Sequence, residues 1–456
     1  MSRKTRTGVR AAHRRFPVAE APESGRTTPA RAAAGSFVGA VVEWYDFLLY
    51  GIVAAVVFND AFFPGISPLA GTLAAFATFG VGFVFRPLGG AFFGHFGDKV
   101  GRKTMLVWTV SIMGVSTALI GLLPTYASIG WWAPLLLVVL RAVQGFAVGG
   151  EWGGAALMAV ENAPPKLKAF FSSGVQVGYS VGLLLATGVA SAVQAFTSDS
   201  AFESWGWRVP FLVSVVFVAI ALWIRSGVPE SEVFRERVAA RQPARRKLPV
   251  LDALRRHPAA FFQIIGLRLG ELLTMYIVTT FALAYATKQF GFGSGFMMTV
   301  ALLVGGIGIV TIPLFAWVSD RYGRTPVFIT GAVIGAIGAV PYFLSMQAGS
   351  QVLLLVASVV LVNLAHDMIV SVQQPLLTEL FGPEHRYSGA GLGYQVAAAV
   401  GGGFTPAIAT ALVMLGGGGW HWVATYLGAG CLVSALVALT VRPADEPAEV
   451  RAPASA

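Results

Sequence analysis

Glu43 and Asp46 stand three residues apart in VGAVVEWYDFLLYG, Val38 to Gly51, a run that is otherwise apolar and aromatic. On a helix, Gly39, Glu43, Asp46 and Tyr50 follow the spacing i, i+4, i+7, i+11 and share one face. Further charged groups interrupt other apolar runs: Arg86, Arg141 and Glu151 in the first half, then Arg268, Glu271, His366 and Asp367 in the second. Buried carboxylates and an imidazole take up and release protons as their surroundings change, and a guanidinium forks onto a carboxylate while staying charged. That is the chemistry of anion binding joined to proton handling. Covalent chemistry has no support here, since the chain has no HExxH, no cysteine pair and no phosphate loop.

The elements that position these groups are membrane spans. Of the 456 residues, 55% are apolar and 12% charged, and the mean hydropathy of +0.70 lies outside the range of soluble domains. A helix crosses the hydrocarbon core in roughly 20 residues. Apolar runs of that length recur twelve times, over residues 35–57, 70–92, 105–123, 133–158, 170–194, 208–225, 261–285, 296–318, 327–346, 351–374, 388–414 and 421–441. Twelve spans place both termini on one side of the membrane. Lys and Arg crowd the stretch from Arg3 to Arg31 and the central loop from Arg225 to Arg256, whereas 59–69 and 124–134 have none. Positive loops stay in the cytoplasm, so both termini are expected there. Topology thereby explains the net charge of +10 without a nucleic-acid partner. The basic amino terminus lacks the pattern of a removable signal peptide, and Cys431, alone in the last span, reads as packing.

The loop after the second span reads GHFGDKVGRKTM, and the loop after the eighth reads AWVSDRYGRTPV. Asp98 matches Asp320, Gly101 matches Gly323 and Arg102 matches Arg324, each 222 positions apart. The chain is thus read as an internal duplication: an all-α polytopic membrane protein whose twelve transmembrane helices form two pseudo-symmetric six-helix bundles. A basic arm occupies 1–34, the bundles 35–225 and 261–441, a cytoplasmic linker 226–260 and a tail 442–456. Parallel repeats place a substrate site near the bilayer midplane at their interface.

The duplicated [GA]-x-x-x-D-[RK]-x-G-R loop on two six-helix halves resembles the major facilitator superfamily. Within it, EWYDFLLYG (43–51), FRPLGG (85–90), RAVQGFAVGGEWGG (141–154) and GWRVPF (206–211) resemble the metabolite:proton symporter family. Longer stretches, GTLAAFATFGVGFVFRPLGG (71–90), AHDMIVSVQQP (365–375) and RYSGAGLGYQVAAAVGGGFTP (386–406), resemble its shikimate-carrying members, although these have Asp where this chain has Glu43. The resemblance implies a secondary transporter, not an enzyme: proton-coupled import of shikimate, or of a dicarboxylate or aromatic acid, across the bacterial inner membrane. It implies alternating access in a lipid-embedded monomer, with protons as coupling ions and no other cofactor. Helices 1, 4, 7 and 10 are expected to line the cavity, and 3, 6, 9 and 12 to face lipid. Drug efflux is disfavoured, because the fifth span, GVQVGYSVGLLLATG, lacks the Gly-Pro pair of antiporters.

At roughly 2.5 kcal/mol or more per charge near a helix centre, scattering these groups against lipid would cost on the order of 20 kcal/mol. They are therefore expected to face inward as a set. Arg86 is the first candidate for a substrate carboxylate, with Arg141 and Arg268 as alternatives. Tyr50, Gln144, Tyr179, Asn363 and Gln395 are candidates for ring hydroxyls. Asp46 and Glu43 lead as proton carriers, followed by Asp367 with His366, and by Glu271. Asp98, Arg102, Asp320 and Arg324 are read as gates, with Asp98 at the start of helix 11 near Ser388 and Asp320 at the start of helix 5 near Ala169. Gly145, Gly149 and Gly153 form a ridge for close helix packing.

Overall fold

The computed structural model describes residues 29–100, 102–150, 160, 163–164, 166–226, 257–381 and 386–441. Helix α1, Pro29–Val53, continues through a π-helical turn, Ala54–Phe58, into Asn59–Phe62. Then follow α2 (Pro68–Val100), α3 (Arg102–Leu122), α4 (Trp132–Val148), α5 (Lys168–Phe196) and α6 (Arg208–Ser226). In the second half α7 runs Pro258–Tyr276, through a π turn at Ile277–Phe281, to Ala282–Phe290. Helices α8 (Ser294–Tyr322) and α9 (Arg324–Gln347) are continuous. Helix α10 comprises Gln351–Val359, a π segment Val360–His366 and Asp367–Glu379. Helix α11 comprises Arg386–Ala398, Ala399–Gly403 and Thr405–Leu415, and α12 is His421–Thr440.

Among the described residues, ten helices are long and apolar enough to cross a membrane. An eleventh, α6, qualifies together with the segment Asp199–Gly206, from which it bends by 53°, and α4 is apolar to its described end. The helices outrun the apolar cores because polar flanks extend them; α8 runs on to Tyr322 and stops where Gly323 takes φ +101°, a conformation that favours glycine. That requirement explains Gly323 of the second loop; its counterpart Gly101 lies outside the described residues.

The two halves pack alike. Helix α1 lies on α5 and α6, α2 on α4, and α3 on α4 and α6; correspondingly α7 lies on α11 and α12, α8 on α10, and α9 on α10 and α12. The bundles meet along α5 and α8 on one flank and along α2 and α11 on the other, with α1 touching α7 near their π turns. Exposed Val115 and Leu119 on α3, Val216 and Trp223 on α6, Ile337 and Leu344 on α9, and Leu436 and Leu439 on α12 give the outside an apolar coat. Such a surface is suited to lipid.

Helices α2 and α4 touch backbone to backbone. A Cβ on Gly145 would strike the Gly82 carbonyl, and one on Gly149 the Arg86 carbonyl. Small residues permit that approach, and it brings Arg86 and Arg141 against the same aromatic ring.

Candidate functional site

The inward stripe of α1 is buried at Gly39, Glu43, Asp46 and Tyr50. Glu43 Oε1 lies 3.5 Å from Arg86 Nη2. The Arg86 guanidinium sits 4.0 Å from the centre of the Phe47 ring and 4.2 Å from that of Phe83. Arg141 lies 4.0 Å over Tyr50 and 4.7 Å over Phe47. Flat, delocalised guanidinium groups are stabilised by such faces. The two arginines differ in their partners. Arg141 Nη1 donates to Gln144 Oε1, Nη2 donates to the Phe79 carbonyl at 3.3 Å, and Nε has no partner. Among the described residues Arg141 forms no ion pair.

Gln144 Nε2 in turn donates to Thr117 Oγ1 at 2.7 Å, and that hydroxyl lies 2.9 Å from Asp46 Oδ2. Asp46 Oδ1 has no partner. A polar chain Arg141–Gln144–Thr117–Asp46 therefore runs across α4, α3 and α1. Tyr50 is occupied, its hydroxyl 2.5 Å from Thr78 Oγ1.

The second half pairs its charges. Arg268 grips Glu271 through Nε to Oε2 at 3.2 Å and Nη2 to Oε1 at 3.1 Å, and gives Nη1 to the Tyr394 carbonyl at 2.8 Å. Gln373 donates to Glu271, and Gln176 of α5 donates to Gln373 Oε1 at 3.3 Å, which links the two bundles. On α10, His366 Nδ1 is 2.9 Å from Asp367 Oδ1. Asp367 Oδ2 accepts from Thr311 at 2.5 Å and from Asn363 Nδ2 at 3.0 Å. The Tyr179 ring stands 5.1 Å from His366 and 5.3 Å from Trp44, between α10 and α1.

Buried side-chain atoms without a hydrogen-bond partner include Tyr179 OH, Asn363 Oδ1, both amide ends of Gln374, Gln395 Oε1 and Tyr276 OH. Each costs free energy unless a ligand or water satisfies it. The site is thus a polar interior with spare hydrogen-bonding capacity. Thr117, Thr311, Gln176, Tyr276 and Tyr394 are absent from the sequence-derived set; uncharged, and in spans rich in Ser and Thr, they carry no signal of their own.

At one end, Asp320 accepts from the backbone N–H groups of Ala169 and Phe170 at 3.0 and 2.9 Å, so a carboxylate of the second half caps α5 of the first. Arg324 Nη1 meets Glu379 Oε2 at 2.7 Å, and Glu379 Oε1 lies 3.7 Å from Lys168. At the other end Lys288 Nζ donates to Thr72 Oγ1 at 2.9 Å, and Gln194 to Ser294 at 3.0 Å. Contacts between the bundles thus close both ends of the polar centre. The side chains of Asp98 and Arg102, and the whole of Glu151 and Gly153, lie outside the described residues, as do the basic arm to residue 28, the linker from 227 to 256 and the tail from 442.

The model of the Major Facilitator Superfamily matches residues 36–392 and 273–456. The shikimate transporter of Escherichia coli (strain K12) is 61% identical over 412 residues, covering 90% of this chain and 94% of that one. The inner membrane metabolite transport protein YhjE of the same organism is 36% identical over 414 residues, covering 89% and 91%. Among solved structures, the partially occluded inward-open xylose transporter XylE from E. coli superposes with a TM-score of 0.72 at 17% identity, covering 91% of this chain and 98% of that one. This last likeness is one of fold.

Proposed function

This chain belongs to the major facilitator superfamily, and from that membership and the polar centre of the fold we propose that it imports shikimate with protons across the bacterial inner membrane by alternating access. One observation carries the reading. Among the described residues Arg141 is a buried cation in no ion pair, and Asp46 is a buried carboxylate in no ion pair, linked to Arg141 only through Gln144 and Thr117. A substrate carboxylate on Arg141 and a proton on Asp46 complete both at once.

Shikimate brings one carboxylate and three ring hydroxyls. Arg141 is the anchor, because Arg86 and Arg268 already hold Glu43 and Glu271. Among the described residues Arg141 is the one of the three buried arginines without an ion pair, which favours a monocarboxylate over a dicarboxylate. Tyr179, Asn363, Gln374 and Gln395 present atoms without partners and take the hydroxyls. His366 and Asp367 form a second proton-handling pair beside Tyr179.

The cycle follows. With the end near Lys288 open to the periplasm, Asp46 is protonated and the substrate anion docks on Arg141. The bundles then rock about α1 and α7, and release of Asp320 from the α5 terminus, with parting of Glu379 from Lys168, opens the cytoplasmic end. Asp98 and Arg102 serve the symmetry-related gate, and Arg324 holds Glu379. A one-to-one passage of anion and proton would move no net charge and would draw on the pH gradient alone. Both termini are cytoplasmic, the monomer is the working unit, and no cofactor is needed besides the coupling proton.

The test is uptake of labelled shikimate by cells expressing the chain, with and without a protonophore, in competition with quinate, protocatechuate and 2-oxoglutarate. Accumulation should collapse with the protonophore, and 2-oxoglutarate should compete least. Uptake indifferent to the protonophore refutes the coupling, and uptake of 2-oxoglutarate in preference refutes the substrate.

A further inference from the structure

We propose that Thr117, on the outer helix α3, is the positioning residue that links the proton on Asp46 to the substrate carboxylate on Arg141; the idea rests on the function proposed above. Three groups surround its hydroxyl: Gln144 Nε2 at 2.7 Å, Asp46 Oδ2 at 2.9 Å and the Met113 carbonyl at 2.9 Å. Gln144 Oε1 is taken by Arg141, so its amide nitrogen must face Thr117 and donate. The hydroxyl then has one proton to give and two acceptors to choose from.

That choice reads the state of Asp46. When the carboxylate is ionised, the hydroxyl donates to Oδ2. When Oδ2 carries a proton, it donates to the second lone pair of Thr117 Oγ1, and the hydroxyl turns to Met113. Both states are satisfied by rotating one O–H bond, with no heavy atom displaced. A residue without the hydroxyl leaves a buried carboxylate short of its donor in one state and its acceptor in the other.

Arg141 holds the other end of the chain. A substrate carboxylate that takes the guanidinium fork releases Gln144 Oε1, and the amide is then free to turn and present that oxygen to Thr117. The hydroxyl donates to Gln144 instead of Asp46, and the carboxyl is left satisfied only when protonated. Anion and proton then bind together, and the coupling is reciprocal. The charged groups bearing on Asp46 are Arg141 from α4 and Glu43 from its own helix, the latter paired with Arg86 of α2. None of them changes in the test. The position 222 residues beyond Thr117 is Ala339, so the device belongs to the first half alone.

The experiment compares Thr117→Val, which keeps shape, with Thr117→Ser, which keeps the hydroxyl, in proteoliposomes carrying labelled shikimate. Loss of one hydrogen bond to a charged group predicts about a tenfold fall in pH-driven accumulation for Thr117→Val. Its KM should also lose the wild-type dependence on external pH, while counterflow exchange without a gradient persists. Thr117→Ser should match wild type. A Thr117→Val protein with wild-type accumulation and pH dependence overturns the proposal, as does a Thr117→Ser protein equally impaired.

A second readout needs no substrate. In infrared pH titrations, the protonated-carboxyl band that Asp46→Asn abolishes should shift in Thr117→Val, or in Thr117→Ala should the valine protein fail to assemble, and not in Thr117→Ser. An unmoved band refutes the link. Should wild type carry no shikimate, the substrate reading falls, and the infrared comparison still decides the role of Thr117.

Discussion

Replacing Arg141 with lysine keeps the buried positive charge and removes the fork. In the structure the guanidinium lies 4.0 Å over Tyr50 and spends its donors on Gln144 and the Phe79 carbonyl, leaving Nε free. An ammonium forms one directed bond to a substrate carboxylate where the fork forms two. The bond lost is charge-assisted and contributes about 1.5–3 kcal/mol. Reduced stacking on Tyr50 removes roughly 0.5–1 kcal/mol more, and part of this total returns through the compact charge of lysine. A net loss of about 2 kcal/mol raises KM about 30-fold. Maximal velocity should hold, since the anchor is used equally in the ground state and in transit. No carboxylate among the described residues pairs with Arg141, so the melting temperature should stay near wild type. The assay is initial-rate uptake of labelled shikimate in membrane vesicles, with Arg86→Lys in parallel. A KM for Arg141→Lys within about threefold of wild type refutes the assignment, and so does a larger rise for Arg86→Lys, which would return the role to the residue paired with Glu43.

Glu271→Gln strands Arg268 in the interior and should destabilise the protein by about 3–5 kcal/mol, whereas the Arg268→Met, Glu271→Met double variant should regain most of that loss. Thermal unfolding in detergent tests this, and a double variant as unstable as the single one would contradict it. Asp46→Asn should abolish accumulation driven by a pH gradient yet retain counterflow exchange; normal accumulation removes Asp46 from the proton path. Asp320→Asn weakens two charge-assisted bonds to the α5 terminus, each contributing about 1.5 kcal/mol or more. It should speed thiol labelling of a cysteine placed at Gln373 from the cytoplasmic side, in a background where the buried Cys431 is silent. Gly145→Val drives a side chain into the Gly82 carbonyl and should cost about 3 kcal/mol, read as a drop in the amount of folded protein in the membrane.

The helices were legible because spanning a bilayer demands a run of apolar residues, and the observed ends depart from that expectation mainly where polar flanks prolong a helix, as α10 does from Gln374 to Glu379. The repeated loop was legible from three matched residues 222 positions apart, and at Gly323 of the second copy the backbone is one that glycine favours. The buried charges stood out for the opposite reason: each is costly in an apolar run, so its presence alone marks the interior. Partnership was not legible. FRPLGG draws attention to Arg86, yet Glu43 lies 3.5 Å from it, and of the buried arginines Arg86, Arg141 and Arg268 it is Arg141 that forms no ion pair among the described residues. Which charges pair depends on helix rotation and on the approach of α2 to α4, neither of which a hydropathy profile encodes. The π turns of α10 and α11, the first of which carries Asn363 and His366, leave no sequence mark either.

A division of labour follows from where the pairs fall. In the second half, Arg268 and Glu271 neutralise each other through two hydrogen bonds, and Gln373 and Gln176 extend that pair to α5. Such a unit holds its charge through any motion that leaves α7 intact. In the first half the cation and the anion, Arg141 and Asp46, are separated by two uncharged side chains. A direct Arg141–Asp46 ion pair would bind neither a substrate anion nor a proton without first being broken, and breaking a buried pair costs about 3–5 kcal/mol. Two neutral spacers lower that cost to hydrogen-bond exchange while keeping the sites coupled. The first half thus keeps its buried cation and anion apart through neutral side chains, whereas Arg268 and Glu271 of the second half neutralise each other directly.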